Sequence, residues 1–161
     1  LLVDDLVDAV NAGDIDRAIG HLGPDAVVDW RSRLEFTAGQ GARISDVRCG
    51  RSQPGARGAA VTCHWLVHDA LALATSAPGD RVEGNIIVAA DQIISVDLHS
   101  EPPDATRATF MAWLNATYPE DAERFTLPPG TTADDAYAYG VRFADTVDEW
   151  RDEAADELIS S

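Results

Sequence analysis

The sequence predicts an α+β domain, with helices first, an antiparallel sheet after them and a helical tail. Three observations carry this. Apolar residues recur at helical spacing at the start of the chain, β-prone runs separated by turn residues follow up to Ser100, and helical periodicity returns beyond Glu101-Pro102-Pro103.

Taken in order, Leu2, Leu6, Ala9 and Val10 mark one face of a first helix that Asn11-Ala12-Gly13 ends. Asp14 is placed to cap a second short helix through Arg17, Ala18 and His21, which Gly23-Pro24 stops. The β-branched run Asp25 to Trp30 reads as a strand, and Arg31 to Gly41 as a short helix that closes one end of a pocket. Arg43 to Gly50 and Ala59 to His68 read as strands joined through the turn-rich RSQPGARG, and Asp69 to Gly79 as irregular chain. Arg81 to Ala90 and Gln92 to Ser100 form a second hairpin with Ala90-Asp91 at its tip.

Beyond the sheet, Asp104 is expected to cap a helix to about Tyr118, with Phe110, Met111, Trp113, Leu114 and Thr117 on its buried side. Thr131 or Thr132 caps a long last helix in which Tyr139, Phe143, Val147, Trp150, Ala154 and Leu158 form a stripe. That stripe is expected to cover the sheet or the preceding helix, with a dimer contact as the alternative. The chain thus divides into residues 1–101 and a helical extension, residues 102–161, packed on the same unit.

Twenty-eight acidic residues stand against twelve basic ones, all arginine, for a formal charge of −16. Such a surface repels phosphate backbones and anionic membranes, which excludes nucleic-acid binding as the expected activity. No apolar run approaches the length of a membrane span. Neither a GxSxG elbow nor a GxGxxG or GxxxxGK loop occurs, so no nucleotide cofactor is expected, and no His or Cys grouping has zinc-ligand spacing. The partners left are a small apolar molecule or a second copy of the chain, as monomer or homodimer.

Cys49 and Cys63 face each other if their strands turn symmetrically about Ala56. Two readings stand: a disulfide, or two small apolar residues kept reduced. A cytoplasmic location is favoured unless the pair is oxidised, which would favour export. The chain begins on a helix without Met, so a leader segment before Leu1 stays open.

The opening LVDAVNAGDIDRAIGHLGPDAVVDW resembles the start of the nuclear transport factor 2-like superfamily, which includes SnoaL-like cyclases, ketosteroid isomerases and limonene epoxide hydrolases. The stretches CGRSQPGARGAAVTCHW, DQIISVDL and FMAWLNATYPEDAERF look like uncharacterised SnoaL-like proteins of high-GC bacteria that carry a helical C-terminal extension. The resemblance implies a curved sheet closing a cone-shaped apolar pocket, and a Cys49–Cys63 bridge. It implies no specific reaction. Where ketosteroid isomerases carry an oxyanion donor, a base and a second acid, this chain presents Leu6, Trp30 and Glu83, so the first two roles are chemically unavailable. Asp29, next to the base position, falls on the opposite face of the expected strand. Where limonene epoxide hydrolases carry their Asp, Arg, Asp set, His64, Leu66 and Leu98 stand.

On the superfamily's concave face, Thr62, His64, Leu66 and His68 are expected to alternate inward, with Glu83, Asn85 and Ile87 on the next strand. His64 and Glu83 would then share the pocket as a His–carboxylate pair, either a general base or a satisfied structural pair. Trp30 would belong to the pocket wall with His64, Glu83 and Asn85, and Trp65 either to that wall or to the core. His21, Asp97 and His99 are expected on the surface, the last two on the sheet face opposite to Glu83. The leading expectation is a small-molecule-binding domain. Its alternatives are a cofactor-independent isomerase, cyclase or hydrolase using His64 and Glu83, and an interaction module.

Overall fold

A computed structural model describes residues 2–160. The fold is α+β: α1 (Leu2–Asn11), α2 (Ile15–Gly20) and α3 (Pro24–Gly39) precede β1 (Arg43–Cys49), β2 (Gln53–Gly55) and β3 (Gly58–His68). Then come α4 (Ala70–Thr75), β4 (Asp80–Ala89), β5 (Gln92–Ser100), α5 (Ala105–Thr117), α6 (Pro119–Arg124) and α7 (Ala133–Ser160). The strands form one antiparallel sheet in the order β1-β3-β4-β5, with β2 paired to the start of β3. Register shifts between Ser45 and Arg48, and between Ile87 and Val88, bend the outer strands.

The largest departure from the sequence reading is α3. Asp25 to Trp30 is not a strand but the first half of one helix that runs on through the expected short helix to Gly39. Gly23-Pro24 starts this helix instead of stopping the one before. Gly23 is the extended N-cap, Pro24 occupies the first turn where its missing N–H costs nothing, and Asp25 complements the helix dipole. The valine pair that suggested a strand splits across the helix, with Val27 packed toward the sheet and Val28 in solvent. Glycine ends the helix, because Gly41 adopts φ +69°.

Asn11 closes α1 onto the sheet edge. Its Nδ2 donates to the Ile44 carbonyl at 2.9 Å and its Oδ1 accepts from the Ile44 N–H at 2.7 Å, so the side chain imitates a neighbouring strand. Asp69 turns the expected irregular segment into α4 by accepting from the Ala72 N–H. Arg107 of α5 then reaches Asp69 at 2.6 Å and Asp80 at 2.8 Å, tying α5 to α4 and β4.

The two larger of three apolar clusters lie one on each side of α3, and the third, Ala9, Val10 and Ala18, joins α1 to α2. Leu22, Ala26, Cys63, Ile86 and Ile93 lie between α3 and the sheet, joined by Trp30, Leu34 and Trp65. Phe110, Leu114, Phe143 and Val147 lie on the far side of α3, joined by Phe36, Phe125 and Trp150. The principal partner of α7 is therefore α3 and not the sheet. The two helices approach so closely that a Cβ on Gly140 would run into the Phe36 carbonyl, and one on Gly39 into the Tyr137 carbonyl. The stripe expected along α7 is buried at Phe143 and Val147 but fades beyond Trp150, and Leu158 is 79% exposed. Of the two expected caps, Thr132 accepts from the Asp135 N–H.

Cys49 and Cys63 are cross-strand partners joined by a disulfide that links β1 to β3. The Cys63 half is fully buried in the sheet-side core.

Candidate functional site

The sheet-side core is not filled. A cavity of about 160 Å³ lies between α1, α3 and the inner face of the sheet. On α3 it is bordered by Trp30, Arg33, Leu34 and Thr37, which the helical repeat stacks on one face. From α1 come Leu6 and Val10, and from the sheet Trp65, Val67, Ile86 and Leu98. An engineered apolar cavity of about 150 Å³ stays dry and takes up benzene, so this volume accommodates an apolar group of about that size.

The indole of Trp65 forms part of the wall because Gly84 makes room for it. A Cβ at Gly84 would lie 2.7 Å from Trp65 Cζ3, so a larger residue there would force the ring into the cavity. The wall is apolar apart from Arg33 and Thr37. Arg33 is exposed, which places it where the cavity meets solvent. Its guanidinium sits 4.8 Å from the centre of the Trp30 ring. Thr37 Oγ1 donates to the Arg33 carbonyl at 2.8 Å, and its lone pairs stay available.

Of the four expected pocket residues, Trp30 borders this cavity, and His64, Glu83 and Asn85 do not. The inward set on β3 is Val61, Cys63 and Trp65, which belong to the sheet-side core, so the expected alternation is reversed and Thr62, His64, Glu83 and Asn85 project from the outer face. The reason is the helix that replaces the expected first strand. The helical layer covers the face carrying Cys63, Gly84 and Ile86, and period-two alternation then sends their neighbours outward.

His64 and Glu83 are nonetheless cross-strand partners, with Nδ1 3.7 Å from Oε2, but their side chains are 62% and 44% exposed. His99 is the cross-strand partner of Glu83, and Asp97 that of Asn85. Both lie on the face of Glu83, contrary to the expected opposite side, and both are exposed. His64, Glu83 and His99 border a broad open groove with Arg48 and Arg81. Its volume, about 720 Å³, exceeds that of the cavity. Nothing there shields a reacting group from water, and the facing charges solvate one another, so the smaller apolar cavity is the better candidate site. Among the described residues no group of three His, Cys, Asp or Glu side chains is placed to hold a metal ion, and no helix is long and apolar enough to cross a membrane.

Leu6 and Trp30, the positions that the resemblance aligns with an isomerase donor and base, both border the cavity and present only apolar carbon and an indole to it. The remaining polar clusters hold helices together. Arg142 donates to Asp121 at 2.9 Å and to Glu149 at 2.8 Å while its guanidinium covers the Tyr118 ring. Bonds from Tyr118 and Arg142 hold the Glu149 carboxyl below the usual glutamate range. Burial raises the Asp80 carboxyl despite Arg107 beside it, and burial likewise raises that of Glu35.

Arg33, Leu34 and Thr37 are absent from the sequence-derived site. Their signal is the stripe Ala26, Trp30, Arg33, Leu34, Thr37 at helical spacing, which becomes visible only once residues 24–39 are read as a single helix. Searched against family models, curated proteins and solved structures, the chain finds no match.

Proposed function

We propose that this chain is a small-molecule-binding domain of SnoaL-like type, holding an apolar ligand in the cavity between α1, α3 and the sheet. The observation that carries the reading is a cavity of about 160 Å³ bordered almost wholly by apolar side chains of α1, α3 and the sheet. Such a void forfeits dispersion contacts, at a cost on the order of 24 cal/mol per Å³. A ligand of matching size restores those contacts.

The sequence supports the same reading through the resemblance of its opening helices, which form one wall of the cavity. Reactions that need a donor at Leu6 or a base at Trp30 are disfavoured, which leaves binding as the activity that the wall supports.

The test is a titration with hexanol, followed by the fluorescence of Trp30 and Trp65 and by amide shifts of α3. Binding at about 1 mM or tighter is expected for a ligand of this size. Val67→Phe, which fills the cavity, should abolish binding while leaving the circular dichroism and the melting transition close to wild type. Wild-type protein that takes up no hexanol, or a filled variant that binds as well as wild type, overturns the reading.

A further inference from the structure

The cavity's one charged neighbour points to the chemistry of its ligand. We propose that Arg33 selects molecules with a single carboxylate on an apolar body of about six carbons, that is, short-chain or aromatic monocarboxylic acids. This inference rests on the cavity being the binding site.

Four observations carry it. Among the described residues Arg33 is the only charged one bordering the cavity, and it stands at the exposed rim while the interior is apolar, so a ligand that fills the volume brings its outer end to the guanidinium. Among the described residues no carboxylate lies within ion-pair distance of Arg33, whereas Arg31, two residues earlier on the same helix, is paired with Asp16. The Trp30 ring lies against the guanidinium at 4.8 Å. A cation–π contact of this kind tethers the guanidinium at the rim, and a guanidinium without a carboxylate partner offers N–H donors that a carboxylate accepts in a two-pronged bond.

The fourth observation is the charge of the whole chain. At −16 the protein repels anions at long range, so a carboxylate ligand needs a cation at the point of contact. At physiological ionic strength charges beyond about 8 Å are screened, and contact with Arg33 prevails over the distant acids. The other arginines bordering a recess, such as Arg48 and Arg81, lie in the outer groove with Asp46, Glu83 and Glu101, where carboxylates are already at hand.

Hexanoate and hexanol separate the two contributions, since they share a chain length and differ in the head group. Wild-type protein should bind hexanoate about tenfold more tightly than hexanol at low salt, the size expected for hydrogen bonds to a charged group. Arg33→Gln should lose that preference and keep its affinity for hexanol, and Arg33→Lys should retain part of it. Equal affinity of wild type for the two compounds, or a preference that survives in Arg33→Gln, overturns the role of Arg33 while the cavity stands as a binding site. If wild type takes up neither compound, both inferences fall.

Discussion

The two cores on either side of α3 solve opposite problems. On the far side, Phe36, Phe110, Phe125 and Phe143 meet at ring separations of 5.3 to 6.2 Å in tilted and edge-to-face pairs, and Trp150 stacks its edge on Phe110. Aromatic packing of this kind fills space and fixes geometry. On the sheet side the residues are mainly aliphatic, a cavity remains, and a disulfide crosses the strands beside it. One helix thus packs aromatic rings on one face and borders a cavity on the other.

The largest test of this contrast is Phe110→Ala. Phe110 is fully buried and touches three other aromatic rings, so its truncation should cost about 3–5 kcal/mol in urea unfolding. A loss below about 1 kcal/mol would show that the far core is no better packed than the cavity side.

The next test addresses the bridge on the cavity side. It closes a loop across a sequence separation of 14 residues, so replacing both cysteines by serine should cost about 3 kcal/mol on the loop-entropy account. Unfolding curves that do not change with the replacement would mean that the cavity side stands without its covalent tie.

The smallest effect belongs to the network that holds α7 to α6 and the end of α5. The carboxyl of Glu149 is held below its ordinary value of 4.5, first by the bond from Tyr118 and then by Arg142. A carboxylate with a lowered folded value contributes stability above its unfolded value and loses it as the pH falls through the folded one. Glu149→Gln should therefore be less stable than wild type at neutral pH by under about 1 kcal/mol, given solvent screening, and the gap should close as the pH falls below the ordinary glutamate range. Melting curves across this range check it, and a gap independent of pH would remove the ionic contribution.

How far the sequence discloses all this depends on the element. The strands β1, β3, β4 and β5 were legible because turn residues bound them and their runs are rich in β-branched residues, and the register that pairs Cys49 with Cys63 followed from the symmetry of the connection. The caps at Asp14, Asp104 and Thr132 were equally legible, since each side chain has a donor three residues on. The face of the sheet was not. Alternation says that His64 and Trp65 point opposite ways and does not say which way is in; that is decided by where the helices lie. The inward placement of Thr62, His64, Glu83 and Asn85 came from the concave face that the resemblance implies, whereas the helices cover the other face, that of Cys63 and Ile86.

The contact between Gly39 and Gly140 has a consequence for selectivity. Widening the cavity requires α3 to draw away from the sheet, yet at this crossing backbone meets backbone with no side chain to yield. The helix can retreat only by carrying α7 with it. If the cavity binds as proposed, the upper limit on ligand girth is imposed from behind the wall, at two residues that no ligand touches, and substitutions there would retune which molecules fit while leaving every lining side chain unaltered.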